Sequence, residues 1–275
     1  MNESDTFELG DRTVRRLGFG AMRVTGPGVI GPPDDEDEAR ALLRRVVELG
    51  VDFIDTADSY GPGVSERLVG ETVAPDEAVV ATKVGLVRNT DGEWLPHRDP
   101  DYIRNQALVS RDRLGVDSID VYQLHTAGGE TPFEDSVQAL AECKDAGLVD
   151  HVGLSNVSVE QLETARDHVE VVSVQNRYNV TDRDDEDVLQ ACEEYDIGFV
   201  PWYPVAAGDL DGAVADVATA RDATPYQVAL AWLLEHSGVT LPIPGTSSRD
   251  HLAENVAASQ LDLTDEEYNR LCAVA

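Results

Sequence analysis

The chain has 275 residues (29.8 kDa), 42% of them hydrophobic, and its 53 acidic against 21 basic residues give a net charge of −32. That charge repels nucleic acid and anionic lipid, and no apolar run approaches the ~20 residues of a membrane span, so neither partner is expected. The length suits a single domain over 1–275, and Met-Asn-Glu-Ser-Asp at the start lacks the basic and apolar regions of a signal peptide, so a cytoplasmic location is expected.

Short β-branched runs alternate with amphipathic helical patterns along the whole chain. Residues 1–16 are predicted to form an N-terminal hairpin or cap. Then 17–24 reads as a strand, 36–49 as a helix, 52–56 as a strand and 64–72 as a helix. The strand 78–84 precedes the helix 100–114, and the strand 118–125 precedes the helix 132–146. Strands at 151–155 and 171–175 flank a helix at 158–168. A helix at 184–195 leads to a strand at 198–203. Helices at 211–221 and 225–236 precede the last strand, 240–244, and helices at 248–258 and 265–273 end the series. Gly50, Gly147 and Gly198 stand where a C-terminal glycine is expected, and Ser158 with Gln161 and Thr264 with Glu267 form capping boxes. Strands linked by helical crossovers pair in parallel. Eight such units predict an α/β (β/α)₈ barrel of the TIM type, with an open doubly wound sheet as the alternative.

Cys143, Cys192 and Cys272 lack C-x-x-C spacing, which argues against a disulfide framework. The six histidines show neither H-x-H nor H-E-x-x-H, so no metal site is expected. Nineteen of the basic residues are Arg; only Lys83 and Lys144 are Lys. The composition reads as an acidic surface adapted to high salt, with lysine kept where an ammonium is needed. Gly18-Phe-Gly20 begins a dinucleotide fingerprint, but Arg23 replaces its third glycine and a Gly/Pro-rich loop follows, so the open-sheet signature is weak.

A barrel of this kind takes its catalytic groups from the C-terminal ends of its strands. The polar residues there are Asp55, Lys83, His125, Ser155, Asn156, Gln175 and Trp202, with Gly245 after the last strand and Tyr60 five residues past Asp55. Lys83 follows an apolar strand, where an ammonium needs a counter-charge, and Asp55 is its candidate partner. A rim salt bridge is the structural alternative. A nearby ammonium would lower the Tyr60 phenol pKa and let it exchange a proton near neutral pH. His125 is either a satisfied core histidine or a group that orients a carbonyl or relays a proton.

Six segments in order resemble the aldo-keto reductases: Asp55-Thr-Ala-Asp-Ser-Tyr60-Gly, Ala-Thr-Lys83-Val-Gly, Gln-Leu-His125, Gly-Leu-Ser155-Asn156-Val-Ser, Val-Gln175-Asn-Arg-Tyr-Asn and Ile-Pro-Gly245-Thr-Ser-Ser. The loop 25–33 and Trp94-Leu-Pro are similar to the branch of that family that includes bacterial pyridoxal reductase. The resemblance implies a catalytic tetrad of Asp55, Tyr60, Lys83 and His125. It implies NADP(H), less often NAD(H), as cofactor. Ser155, Asn156 and Gln175 would hold the nicotinamide carboxamide, and Trp202 would stack on the ring. Tyr203, Val205 and Ala207 would cradle the pyrophosphate. Thr246, Ser247 and Ser248 would open the last helix toward an anion, and Glu254 and Asn255 would meet the adenine. Gly245 replaces a lysine that many members use near the 2′-phosphate and His251 replaces an arginine; Arg249 is the candidate to compensate. Met22 and Trp94 are candidate substrate contacts. The implied activity is NAD(P)H-dependent reduction of an aldehyde or ketone, either pyridoxal-like or another small aldehyde or sugar, by a monomer or weak homo-oligomer. The alternatives are a nicotinamide-binding regulatory subunit and a metal-dependent barrel hydrolase, the latter lacking its histidine ligands.

Overall fold

The computed structural model describes residues 6–205 and 210–274. Strands β1 (Thr6–Leu9) and β2 (Arg12–Arg15) pair as an antiparallel hairpin, which meets the described part of the expected N-terminal cap. Residues 1–5 lie outside the described residues. Then follow β3 (Phe19–Gly20), α1 (Glu36–Glu48), β4 (Phe53–Asp55), α2 (Val64–Thr72) and β5 (Val79–Val84). A second hairpin, β6 (Leu86–Arg88) and β7 (Trp94–Pro96), precedes α3 (Pro100–Leu114), β8 (Ile119–Leu124) and α4 (Phe133–Asp145). The chain continues with β9 (Val149–Ser155), α5 (Val159–Arg166), β10 (Val171–Gln175), α6 (Glu186–Tyr195) and β11 (Gly198–Phe199). Helices α7 (Ala213–Ala220), α8 (Pro225–His236), α9 (Arg249–Ala257) and α10 (Asp265–Cys272) complete it.

Seven strands pair in parallel in the order β11-β10-β9-β8-β5-β4-β3. The segment 239–244 closes the circle. On one side, Phe199 N donates to the Val239 carbonyl at 2.8 Å and Leu241 N to the Phe199 carbonyl at 2.7 Å. On the other, Gly18 N and Gly20 N donate to the carbonyls of Pro242 and Pro244, at 3.0 and 3.4 Å. The expected strand at 240–244 is therefore an irregular stave. Pro242 and Pro244 have no N–H to return to β3, so no regular ladder forms. The neighbouring strands are also shorter than expected: Ala21–Val24 is a 3₁₀ turn, and β11 ends at Phe199.

Helix ends follow the local chemistry. Asp99 caps α3 with Pro100 in its first turn, and Gly115 closes it at φ 70°. The expected boxes on α5 and α10 are present, and Thr224 with Gln227 makes a third on α8. Gly198 opens β11 instead of ending α6, whose left-handed position is taken by Asp196 at φ 55°. Phe7, Leu9 and Val14 of the first hairpin pack with Phe53, Ala81, Val121 and Leu241 in one buried cluster. The hairpin thus closes the end of the barrel where the strands begin, leaving the opposite end for chemistry. No described helix is long and apolar enough to cross a membrane.

Candidate active site

At that opposite end, β4 finishes on Asp55, β5 carries Lys83 next to its last residue, and His125 follows β8. Lys83 is fully buried. Its ammonium donates to Asp55 Oδ1 at 2.6 Å, the Thr56 carbonyl at 2.8 Å and Tyr60 Oη at 3.3 Å, which accounts for its three protons. Gln175 Nε2 donates to the other Asp55 oxygen at 2.8 Å. Burial works against the Lys83 charge, but the Asp55 carboxylate and the Tyr60 oxygen outweigh it and hold the ammonium above its ordinary range.

Tyr60 is placed by a tight loop. Asp58 N donates to the Lys83 carbonyl at 3.1 Å, and Gly63 N donates to the Asp58 carbonyl at 2.7 Å. Gly61 has φ 78°, and a Cβ there would lie 2.6 Å from Val64 Cβ, so this turn requires glycine. Lys83 pulls the Tyr60 phenol down, as the sequence leads one to expect, but burial outweighs it and the pKa is raised. The phenol is accordingly a proton donor at neutral pH. Burial, then the Lys83 charge, hold the His125 imidazole well below its ordinary range, so it is neutral. Tyr60, His125 and Trp94 meet edge-on, with centroids 5.9, 6.1 and 6.2 Å apart.

Asn156 follows β9 at φ 57°, a conformation asparagine tolerates. Its Nδ2 donates to the His125 carbonyl at 2.9 Å and to Ser155 Oγ at 3.0 Å, and its Oδ1 accepts from Trp202 Nε1 at 3.0 Å. One amide therefore ties together three strand ends. A cavity of about 420 Å³ brings together Met22, Asp55, Tyr60, Trp94, His125, Ser155, Asn156, Gln175, Trp202, Tyr203, Val205 and Gly245. Lys83 lies behind its wall.

The remaining expected contacts lie outside this cavity lining. Ser248 caps α9, accepting from His251 N at 3.4 Å, and its own N–H donates to Thr246 Oγ1 at 3.0 Å. Ser247 stands between them; Glu254 and Asn255 are on α9. Arg249 is engaged in a two-pronged ion pair with Glu38, at 2.8 and 2.6 Å. Ala207 falls outside the described residues. At Gly245, a Cβ would come within 2.7 Å of the Gly20 carbonyl oxygen. A side chain at this position would therefore require the seam between Gly20 and Gly245 to shift locally.

Two features were not anticipated from sequence. Leu86 reaches the cavity from the β6–β7 hairpin, whose strands of three residues are too short to show a period. Asn89-Thr-Asp-Gly92 was the available turn signal. Behind Tyr60, Asp58 accepts from Tyr102 Oη at 3.1 Å, while its Oδ1 has no partner among the described residues. Burial, then the neighbouring Glu66 charge, push Asp58 up to about 8.

The sequence matches the description "Aldo/keto reductase family" over residues 16–216 and 209–275. An uncharacterized oxidoreductase of Schizosaccharomyces pombe is 46% identical over 98% of this chain and 90% of its own. Pyridoxine 4-dehydrogenase of Escherichia coli is 42% identical over 99% of both chains. Among solved structures, an aldo-keto reductase from Klebsiella pneumoniae in complex with NADPH aligns with a TM-score of 0.84. It is 26% identical, over 98% of this chain and 94% of that one.

Proposed function

The chain belongs to the aldo-keto reductase family, and from that premise we propose that it reduces an aldehyde or ketone with NAD(P)H, Tyr60 supplying the proton. The observation that carries this reading is the buried Asp55–Lys83 pair with Lys83 Nζ 3.3 Å from Tyr60 Oη, at a cavity wall shared with His125.

The donor set at the cavity fits a nicotinamide. Ser155 Oγ and the Asn156 amide are hydrogen-bonding groups suited to a carboxamide, and Trp202 is held beside them by its bond to Asn156. When bound, the nicotinamide supplies the two-electron reductant. The protein's part is the proton. Tyr60 Oη–H, kept protonated by burial, donates to the carbonyl oxygen, and Lys83 stabilises the phenolate left behind. Ser59 Oγ lies 3.5 Å from His125 Nδ1; in the tautomer where Nδ1 accepts from that hydroxyl, the imidazole proton sits on Nε2 and would orient the carbonyl oxygen. Asp55 keeps the ammonium charged and in place.

NADP(H) is the favoured cofactor and NAD(H) the alternative, with the α9 N-terminus and Arg249 as the anion-binding side. A pyridoxal-like aldehyde is the favoured substrate class. The 42% relative with pyridoxine 4-dehydrogenase activity supports it, as do Met22 and Trp94 at the cavity. The −32 charge supports a salt-adapted enzyme. The test follows NADPH and NADH oxidation in molar KCl against aldehydes that include pyridoxal. Turnover with pyridoxal and NADPH is expected; binding of cofactor without turnover of any aldehyde would favour a regulatory role. Tm should rise between about 0.05 and about 3 M KCl as charge repulsion is screened, and a flat profile would remove the salt-adapted reading.

A further inference from the structure

Arg88 directs its polar contacts among the described residues to backbone carbonyls, not to carboxylates. Its Nη1 donates to the Val29 carbonyl at 3.0 Å, and its Nη2 to the carbonyls of Gly28 and Gly92, at 2.8 and 2.7 Å. The guanidinium also lies 3.8 Å from the centroid of the Trp94 ring. The first two carbonyls belong to the 25–31 loop and the third to the turn between β6 and β7. One side chain thus joins two loops that are remote in sequence.

The joint reaches the catalytic loop. Val29 O accepts a second bond, from Gly61 N at 3.2 Å, directly after Tyr60. Val29 holds φ 61°, a conformation a β-branched residue rarely adopts, so the surrounding bonds must over-determine it. The hairpin needs such an anchor. Two strands of three residues are marginal by themselves, and Trp94 remains 39% exposed while its ring meets Tyr60 and His125 edge-on.

We propose that Arg88 is a positioning residue for carbonyl substrates: it latches the 25–31 loop to the β6–β7 hairpin and thereby fixes Trp94 as the wall of the cavity facing Tyr60 and His125. This rests on the reductase reading of the site. Arg88's described contacts are Gly28, Val29, Gly92 and Trp94, none of them a group assigned to the cofactor, so its loss should affect substrate recognition and leave the cofactor held.

The test compares Arg88→Met, Arg88→Lys, Trp94→Ala and the double variant Arg88→Met/Trp94→Ala. The probes are NADPH with pyridoxal and with 4-nitrobenzaldehyde. Losing the stacking and the forked hydrogen bonds should raise KM for both aldehydes ~10-fold. The NADPH Kd should be unchanged and kcat should fall by less than about threefold. Lysine, lacking the planar fork, should restore only part of the loss. In the Trp94→Ala background Arg88→Met should cost nothing further; an additive loss there overturns the proposal. Amide hydrogen exchange on ligand-free protein gives a readout independent of activity. In Arg88→Met, exchange should rise together in 86–96, in 26–31 and at Gly61; a rise confined to 86–96 would make Arg88 a local hairpin anchor only. Arg88→Lys supplies the same exchange readout if the methionine variant does not fold. Failure of the wild type to consume any aldehyde would refute the reductase reading, and the exchange arm would still decide the latch.

Discussion

The half of the barrel mouth built on β4, β5 and β8 and the half built on β11, the 239–244 segment and α9 hold their polar groups in opposite ways. In the first, the polar groups are buried and bonded to one another: Lys83 on the six-residue β5 to Asp55 at the end of the three-residue β4 and to Thr56 and Tyr60 in the loop that follows. In the second, β11 has two residues, prolines interrupt the ladder, and Arg249 lies exposed against Glu38. Proton transfer needs atoms fixed within hydrogen-bond reach before substrate arrives, and buried groups bonded to one another supply that. A long flexible ligand needs exposed groups that exchange partners, and short staves with a capped helix supply those.

The sharpest way to break the comparison is at the proton donor. Tyr60→Phe removes a hydroxyl from the rigid half and nothing from the other. Turnover should fall ~10²–10⁴-fold, the worth of general acid catalysis. The NADPH Kd, measured by fluorescence titration, should stay the same. Wild-type turnover in a variant whose chemical step limits the rate would remove Tyr60 from its role.

Lys83→Met tests the pair behind it. Asp55 is left as a buried carboxylate without its counter-charge, a loss of ~3–5 kcal/mol, or roughly 6–20 °C in Tm. Lys83 also lowers the Tyr60 pKa, so its removal raises a pKa already lifted by burial. Reduction requires the protonated phenol and is lost as pH rises through that pKa. The alkaline limb of the rate profile should therefore move to higher pH as the rate falls. Adding Asp55→Asn should recover much of the stability and none of the rate. An unchanged profile with normal turnover would leave only a structural salt bridge.

The two halves also differed in how far the sequence revealed them. The ends of α2, α3, β10 and α8 agree with the expected bounds to the residue. At α3 and α8 local punctuation marks them: Asp99-Pro100, Gly115 and Thr224-Pro225. Strand limits near the seam were overestimated, because Ala21–Val24 forms a 3₁₀ turn that buries only Ala21 and Val24, and apolar composition over so short a run does not separate that from a strand. That Asp55, Tyr60, Lys83 and His125 would meet was legible because the strand ends of a barrel share one rim, and the Asp55–Lys83 pairing followed from the cost of a lone buried charge. What could not be read were partners fixed by the closed fold. Glu38 lies 211 positions from Arg249, and Tyr102 lies 44 from Asp58.

Asp58 extends the comparison to pH. Its carboxyl is pushed up to about 8 in the fold, by burial first and then by Glu66, against about 3.9 in an unfolded chain. A carboxyl raised on folding favours the fold while protonated. That contribution is whole below about pH 4 and is lost as pH rises toward about 8. Asp58→Asn stays neutral throughout. Its Tm should match the wild type near pH 4 and exceed it near pH 8, by the equivalent of ~1–3 kcal/mol for an unsatisfied buried group. A constant difference between the two Tm curves would show that Asp58 does not titrate in this range.

The smallest effect is expected on the loose half. Arg249 is the candidate for the 2′-phosphate of NADP(H), yet its guanidinium is already engaged by both oxygens of Glu38. Two of its five N–H donors are spent on Glu38, so a phosphate would compete with that carboxylate for the guanidinium, and about half of each side chain is exposed. Exposed pairs of this kind are worth little, so the restraint is weak. Glu38→Gln should therefore raise the ratio of kcat/KM for NADPH over NADH by no more than about fivefold. Arg249→Ala should lower the same ratio, and Glu38→Gln should then have no further effect in that background. The measurement is both cofactors at one salt concentration, because screening acts on the pair and on the phosphate alike. A ratio insensitive to both substitutions would leave Arg249 as a surface tie between α9 and α1. An enzyme that favours NADH would refute the NADP(H) assignment itself.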